Sequence, residues 1–371
     1  MNKLLLCAYH LQKLRPTQGA IDLHILTDEP EKFPDSECRR MLAPWANWVR
    51  IVPRQPLDAI DIGAIRKLQL RSGETVIAIF KDQSLQKEVQ ARCEKSGATS
   101  IVPHFPPAGT LDSDLLREVS FFDFEIGGKN EWDGAPTRYA AHCLRQLSST
   151  HTKDSYPAWA FETLLRAPGG RQQPLKVMDI GCGPVSVLRW GAIQGEISIT
   201  GVDPNLDMYA LVLARHGLDA LPKIRCDRDI NGFAEDLNTL IPDDDFDVIY
   251  TQNALDHTQQ PARVIKNMAR KLAPHGLAVI QVATREGTRQ KWDQLHKTDI
   301  YLKNGALMYA HQHEPERQLL SPESRLRLKH VQTNTPEWLA CVLEKRSATF
   351  AQSSRKRWRL PGFSLQRRKV G

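Results

Sequence analysis

The stretch Lys176-Val-Met-Asp-Ile-Gly-Cys-Gly-Pro184 decides the fold of this chain. Residues 177–180 are apolar except for Asp179, and they predict a short buried strand. Gly181 and Gly183 follow at once, so the backbone can turn tightly and a ligand can approach the main chain without meeting a Cβ atom. The next residues can open a helix, whose free N–H groups would face a polar or negative group. This order predicts the entrance to a doubly wound α/β sheet.

A second β-rich run, 197–203, ends in Asp203, 20 residues after Gly183. A carboxylate at that point can accept hydrogen bonds from both hydroxyls of a ribose. A dinucleotide would fit this much equally well, but Ser186 stands where a third glycine is expected. Asp179 lies inside the first strand, where it would repel a pyrophosphate and can instead hold an amine-bearing, cationic ligand.

These motifs resemble those of the class I S-adenosylmethionine-dependent methyltransferases. The resemblance continues in the family's order through an adenine loop at 232–237, a fourth strand at 245–250, a post-strand motif at 253–257 and a turn into a fifth strand at 269–282. It covers residues 174–345, under half of the chain. The resemblance implies an α/β fold with a doubly wound, seven-stranded, mostly parallel sheet, and S-adenosyl-L-methionine as the cofactor.

The resemblance also implies which residues bind the cofactor. They are Asp179, Gly181, Cys182, Gly183, Asp203, Pro204, Ala234, Glu235, Asp236 and Asn253. The glycine loop is assigned to the methionine end, with Asp179 at the amino group and Asp203 at the ribose. In the adenine loop Phe233 follows Gly232 directly, which departs from the acid often found there. Two choices stay open: either Phe233 or Ala234 packs on the ring, and either Glu235 or Asp236 accepts from the amine, with a surface helix face as the competing interpretation of both acids.

Two regions are expected to handle the methyl acceptor. His257 follows the fourth strand, at the sheet edge where ligands bind, and is the candidate base for an attacking hydroxyl. A structural role at the cofactor is its alternative. After the fifth strand, Glu286, Trp292 and His296 are candidate contacts for a polar, ring-bearing acceptor such as a sugar, with His296 as a second, weaker catalytic candidate. No metal site is predicted.

Residues 253–256, Asn-Ala-Leu-Asp, are not the Asn/Asp-Pro-Pro-Tyr/Phe motif of methyltransferases that act on base amines. We therefore expect methyl transfer to a small or glycan-linked acceptor, at oxygen. Residues 351–371 hold seven basic residues and no acid, which accounts for the whole net charge of +7. One alternative is accordingly an RNA methyltransferase that uses this tail. Another is a methyltransferase-like scaffold or regulatory protein without catalysis.

The predicted domains are an amino-terminal α/β domain of unknown role at 1–115, a helical linker or lid at 116–170, a methyltransferase domain at 171–350 and a disordered basic tail at 351–371. The first domain is expected to hold strands at 3–8, 21–26, 49–52, 74–80 and 99–102, with a helix at 83–95. Helices at 135–147 and 156–165 are expected over the cofactor, where Trp132, Arg138 and Tyr139 could line the site. A hairpin is predicted around Asn304-Gly305, followed by strands at 325–331 and 337–345, the last chosen over a helix.

Composition limits the class of protein. There is no run of 18 apolar residues, so no membrane span is expected. Seven scattered cysteines, an odd count without a C-x-x-C pair, argue against a disulfide framework or a zinc knuckle. They favour reduced thiols and a cytoplasmic location. The sequence says little about the oligomeric state.

Overall fold

The computed structural model describes residues 3–13, 21–27, 38, 42, 46–52, 69–80, 83–103, 110–127, 174–219, 221, 224–242, 245–293, 295–321, 324–335 and 337–346. The helices in these ranges are α1 (Lys3–Lys13), α2 (Gln83–Ser96), α3 (Leu111–Gly127), α4 (Arg189–Ile193), α5 (Leu206–Arg215), α6 (Leu237–Leu240), α7 (Pro261–Lys271) and α8 (Glu286–Arg289). The strands are β1 (Ile21–Thr27), β2 (Ala46–Val52), β3 (Thr75–Ile79), β4 (Thr99–Ile101), β5 (Leu175–Ile180), β6 (Ile197–Asp203), β7 (Arg228–Asn231), β8 (Phe246–Gln252), β9 (Leu272–Ala283), β10 (Thr298–Lys303), β11 (Ala306–His311), β12 (Arg317–Gln318), β13 (Leu326–Thr335) and β14 (Trp338–Lys345).

Seven strands form the central sheet, in the order β13-β14-β9-β8-β5-β6-β7. Strand β14 is antiparallel to both of its neighbours, and the other pairings are parallel. The prediction of an α/β fold around a mostly parallel sheet is therefore confirmed. The chain runs outward from β5 through β6 to β7 and then returns to β8. The crevice between β5 and β8, at their carboxyl ends, is where such sheets bind ligands.

Burial on both faces explains why the middle strands are almost wholly apolar. Every residue of β8 except Gln252 is buried, as expected for a parallel strand covered by helices on both sides. Helix α7 begins at Pro261, whose fixed φ suits the first helical turn. Its residues Val264, Ile265 and Met268 are buried in the same core as the carboxyl half of β9. The sheet is thus a rigid frame for the loops at its carboxyl edge.

The amino-terminal part contains a four-stranded parallel sheet in the order β2-β1-β3-β4. Helix α2 buries Leu85, Val89 and Cys93 on one face, as its spacing predicted. The strand predicted at 3–8 is wrong, because these residues begin α1. Leucines and alanine at helical spacing from Leu4 to Leu11 are buried, and the segment has no β-branched residue to favour a strand.

Helices α1 and α3 share one apolar core with α5, the helix that follows β6. The ring of Phe122 on α3 packs edge-on against Tyr209 on α5, with 5.3 Å between their centroids. Next to it, Asp123 accepts from Arg215 at 2.5 Å and pairs with His216 at 2.9 Å. These contacts hold helix α3 against α5, beside the crevice of the central sheet.

Between β9 and β13 the chain inserts the hairpin β10–β11, joined by Asn304 and Gly305. Both residues have positive φ, 51° and 76°, as a two-residue turn of this kind requires. Residues 338–345 form the strand β14 and not the alternative helix. The predicted helices at 135–147 and 156–165, the three aromatic and basic residues near them, and the tail 351–371 lie outside the described residues. Among the described helices, none has the length and apolar character needed to cross a membrane.

Candidate active site

A cavity of about 800 Å³ opens at the carboxyl ends of β5, β6 and β8. Its walls come from the loops after these strands, from α3 and from the segment that follows β9. The ten residues predicted to bind the cofactor all line this cavity, and so do His257, Glu286 and His296. Trp292 does not line it. The sheet edge therefore brings together side chains that lie more than 100 positions apart in the chain.

The glycine loop after β5 needs its glycines for conformation and for space. Gly181 and Gly183 have φ values of 69° and 61°, in the left-handed region that side chains disfavour. A Cβ atom on Gly181 would lie 2.1 Å from the Cβ of Ala254, in the segment after β8. The Gly181 N–H donates to the carbonyl of Val202 at 2.8 Å. The loop is thus fixed against both neighbouring strands.

Ser186, in place of a third glycine, has a partner inside the loop. Its hydroxyl donates to Asp179 Oδ2 at 2.5 Å and accepts from the Leu188 N–H at 3.1 Å. Both polar side chains are buried. Burial raises the pKa of Asp179 to about 7, and the hydrogen bond from Ser186 opposes that rise. The loop is thus built around a buried carboxyl rather than around a pyrophosphate.

Asp203 is held by two backbone groups at the end of β6. The Gly183 N–H donates to its Oδ2 at 3.2 Å, and the Asn205 N–H donates to its Oδ1 at 2.9 Å. Burial raises the pKa of Asp203 to about 6, while these hydrogen bonds lower it. Both oxygens keep lone pairs for a ligand. The carboxylate is fixed in position while it can still accept from a diol.

Glu118 on α3 is a cavity residue that the sequence analysis missed. Its Oε2 accepts from Asn205 Nδ2 at 3.2 Å. Burial, with the nearby charge of Asp203 adding to it, raises the pKa of Glu118 to about 8. The signal that could have found it is an acid between the buried positions Leu116 and Val119 of an otherwise amphipathic helix. Three carboxyl groups therefore meet at this end of the cavity.

The loop after β7 forms another wall. Ala234 is buried and Phe233 is partly exposed, and both line the cavity. Glu235 Oε1 accepts from the backbone N–H groups of residues 259 and 260, at 2.9 and 3.2 Å. Asp236 pairs with Arg263 at 3.2 Å on the surface. One oxygen of Glu235 therefore holds the neighbouring loop, and the Asp236 carboxylate is paired with Arg263.

Asn253 follows β8 with a φ of 52°, a left-handed conformation that asparagine tolerates. Its backbone N–H donates to the carbonyl of Gln281 at 2.8 Å, and its Oδ1 accepts from the Ala283 N–H at 3.3 Å. These contacts tie the post-strand segment to β9. They place the following turn, 255–257, at the mouth of the crevice.

A cluster of three side chains, which we call the Asp256–His257–His296 cluster, lies beside the cavity, which both of its histidines line. His296 Nδ1 lies 2.9 Å from Asp256 Oδ2, and His257 Nε2 lies 3.4 Å from the same oxygen. The two imidazole rings meet edge-on, with centroids 4.7 Å apart. Burial lowers the pKa of His257. Asp256 was not singled out from the sequence, although it directly precedes His257.

The other two predicted acceptor residues have different surroundings. Glu286 is buried at the cavity wall, and its Oε1 accepts from Gln290 Nε2 at 2.8 Å. The ring of Trp292 instead packs over Gly287, where an added Cβ would lie 2.7 Å from Trp292 Cζ3. Because glycine leaves room for the ring there, the indole is held away from the cavity.

Comparison with known proteins gives a family match, a curated relative and several similar solved structures. A methyltransferase domain family matches residues 153–339. An uncharacterized 37.1 kDa protein in transposon TN4556 of Streptomyces fradiae is 25% identical over 177 residues, which span 44% of this chain and 47% of that protein. An S-adenosylmethionine-dependent methyltransferase from Clostridium acetobutylicum is 10% identical, with a TM-score of 0.36, over 56% of this chain and 97% of its own. The N-methyltransferase NodS from Bradyrhizobium japonicum, solved with S-adenosyl-l-homocysteine, is 15% identical, with a TM-score of 0.33, over 56% and 98%.

The family match covers half of the chain and includes the glycine loop, the adenine loop and the Asp256–His257–His296 cluster. The chain therefore belongs to the methyltransferase domain family, which confirms the predictions of a class I methyltransferase and of S-adenosylmethionine as its cofactor.

Proposed function

We propose that this protein transfers the methyl group of S-adenosylmethionine to a hydroxyl oxygen of a small or glycan-linked acceptor. The observation that carries the proposal is the single cavity that all ten predicted cofactor residues share with His257, Glu286 and His296. Its volume of about 800 Å³ lies in the range of small-molecule sites. The cavity thus suits a cofactor and a compact acceptor side by side.

The cofactor end is built for a ligand that carries a positive charge and a diol. The open backbone of Gly181 and Gly183 would take the methionine part, and Asp179 would meet its amino group. Asp203, fixed by two backbone N–H groups, would accept from the ribose hydroxyls. The buried carboxyl groups of Asp179 and Asp203 have no cationic partner among the described residues that line the cofactor end of the cavity. A cationic ligand would therefore stabilise their ionised forms.

The acceptor end lies at the Asp256–His257–His296 cluster and Glu286. In the proposed reaction a lone pair of the acceptor oxygen forms the new bond to the methyl carbon. The electron pair of the broken carbon–sulfur bond stays on sulfur, which gives neutral S-adenosylhomocysteine. The hydroxyl proton leaves the acceptor toward the cluster or toward water. The enzyme's main contribution is the in-line alignment of oxygen, methyl and sulfur.

A transfer assay tests this proposal. The full-length protein would be incubated with methyl-labelled S-adenosylmethionine and pairs of compact acceptors that differ only in hydroxyl against amine, for example a sugar and its amino analogue. We expect label in the hydroxyl acceptor, with mass spectrometry locating the methyl group on oxygen. Transfer to the amine member alone, or no transfer to any compact acceptor by protein that binds the cofactor, would overturn the proposal.

A further inference from the structure

The Asp256–His257–His296 cluster has an arrangement that hydrogen bonding alone does not explain. Asp256 is completely buried, and about a fifth of each histidine side chain is exposed. One nitrogen of each ring converges on the same carboxylate oxygen, at 2.9 and 3.4 Å. One ligand-type atom from each of the three residues lies within 4.8 Å of the other two. The three groups therefore surround a common point.

The hydrogen bond between His296 and Asp256 leaves two buried atoms unsatisfied. Asp256 Oδ1 and His257 Nε2 have no hydrogen-bond partner within the described parts of the chain. A buried polar atom without a partner costs about 1–3 kcal/mol. Of the two histidines only His296 is hydrogen-bonded to Asp256, and a cation held between the three groups would give His257 Nε2 a partner. The unsatisfied atoms therefore point to a ligand.

The spacing and the chemistry of these atoms select the kind of cation. Zinc binds histidine nitrogen and carboxylate oxygen at about 2.0–2.2 Å in a tetrahedron, so its neighbouring ligand atoms lie about 3.4 Å apart. His257 Nε2 lies at that edge length, 3.4 Å, from Asp256 Oδ2, whereas His296 Nδ1, at 2.9 Å, lies at the shorter distance of a hydrogen bond. Two imidazoles and one carboxylate suit zinc better than magnesium or calcium, which prefer oxygen ligands. Three protein ligands with one open position is the pattern of catalytic zinc sites.

We propose that Asp256, His257 and His296 bind a zinc ion whose open position faces the cavity. The sequence did not predict this site, because the third ligand lies 40 positions after the first and no short metal-binding motif is present. Both histidines line the cavity that contains the cofactor residues. The ion would therefore lie beside the acceptor rather than in a closed structural site.

The role that we infer for the ion in methyl transfer rests on the proposed function. A hydroxyl oxygen of the acceptor would take the open position, and the charge of the ion would lower the pKa of that hydroxyl. Its proton would pass to water in the cavity, and its oxygen would form the bond to the methyl carbon while the carbon–sulfur bond breaks and leaves its electron pair on sulfur. This deepens the proposed function, because it replaces a lone histidine base by a metal-bound nucleophile and restricts the acceptor to groups that bind zinc through oxygen.

Metal binding can be measured without the reaction. The full-length protein would be stripped with a chelator, titrated with zinc, and separately titrated with cobalt, whose visible absorption reports tetrahedral coordination. The test variants are Asp256→Asn, His257→Gln and His296→Asn. His275→Asn is the matched control, since this exposed histidine lies outside the cavity and asparagine tolerates its φ of 61°.

We expect about one zinc ion per chain in the wild type and the control, a tetrahedral cobalt spectrum, and an affinity reduced at least about tenfold in each test variant. A wild type that binds S-adenosylhomocysteine but no stoichiometric zinc would overturn the metal site and leave His296 and Asp256 as a hydrogen-bonded pair. Zinc affinity that is unchanged in all three variants would overturn it as well. Zinc binding without any cofactor binding would instead overturn the proposed function and leave the metal site standing.

Discussion

The contact between the glycine loop and the segment after β8 gives a prediction whose size follows from the structure. Gly181→Ala adds a Cβ atom 2.1 Å from the Cβ of Ala254, where carbon atoms pack at about 3.5–4.0 Å. The new side chain also has to adopt the left-handed φ of 69°, which costs about 1–2 kcal/mol. Overpacking of this kind adds about 1–3 kcal/mol. We therefore expect the free energy of unfolding to fall by about 2–5 kcal/mol.

Gly217→Ala separates the two contributions. Gly217 has the same φ of 69°, but an added Cβ there meets no atom within 4 Å. In this control the free energy of unfolding should fall only by the cost of the left-handed backbone conformation, about 1–2 kcal/mol. The difference between the two variants therefore measures the collision with Ala254. A third variant, Gly181→Ala with Ala254→Gly, removes the collision and should recover most of that difference.

Urea-induced unfolding, followed by circular dichroism, gives the free energies of the wild type and the variants. The reasoning is refuted if Gly181→Ala costs no more than Gly217→Ala, or if Ala254→Gly restores nothing. Either result would mean that the loop after β5 does not pack on the segment after β8. In Gly181→Ala the added methyl group should displace the glycine loop, so this variant should bind S-adenosylhomocysteine more weakly. Gly217→Ala should bind it as the wild type does.

Two further predictions concern carboxyl groups at the cofactor end, and a third concerns Asp123 on α3. Asp179 and Asp203 have raised pKa values of about 7 and about 6, and a cationic ligand binds their ionised forms better. Cofactor affinity should therefore rise from about pH 5.5 to about pH 8, and binding should release protons. Calorimetry in buffers of different ionisation enthalpy measures this release, and proton uptake would contradict the prediction. Because the pKa of Asp179 is raised, its contribution to the free energy of unfolding is lost as pH rises through about 7. Asp179→Asn should therefore raise the unfolding temperature of the cofactor-free protein at pH 8, with a gain in the free energy of unfolding of up to roughly 4 kcal/mol. At pH 5 the same variant should raise the unfolding temperature less. An unchanged or lower temperature at pH 8 would be the opposite result. Asp123→Asn should lower the free energy of unfolding by about 1–3 kcal/mol and weaken cofactor binding, because Asp123 pairs α3 with Arg215. The exposed control Asp219→Asn should have neither effect. Equal effects of the two variants would contradict a role for this ion pair in positioning α3.

The parts of the site that sequence could predict depend on local chemistry. Gly181 and Gly183 need positive φ, and this requirement is visible in the residue type itself. Asp203 ends a strand beside the glycine loop, and its spacing of 20 residues fixes that relation. The succession of the central strands along the chain was predicted from motifs of this kind, since each one marks the end of a strand.

The parts that sequence did not predict depend on tertiary contacts. Glu118 reaches the cavity only because α3 packs on α5, and Asp256 meets His296 only because the segment after β9 folds back over the crevice. The direction of the Trp292 ring is set by the space above Gly287. The error at residues 3–8 has a simpler cause, because so short an apolar run fits a buried helix as well as a buried strand, and its helical spacing is visible only when the run is followed to Leu11.

The most direct test of the central claim is a calorimetric titration of the full-length protein with S-adenosylhomocysteine, beside Asp203→Asn and the control Asp219→Asn. Asp203 is a buried acid of the cavity, whereas Asp219 is an exposed acid outside it. We predict micromolar binding by the wild type and the control, and an affinity at least about tenfold lower in Asp203→Asn, because charge-assisted hydrogen bonds to the ribose are lost. Equal affinity in all three proteins, or no binding by a folded wild type, would contradict the placement of the cofactor in this cavity.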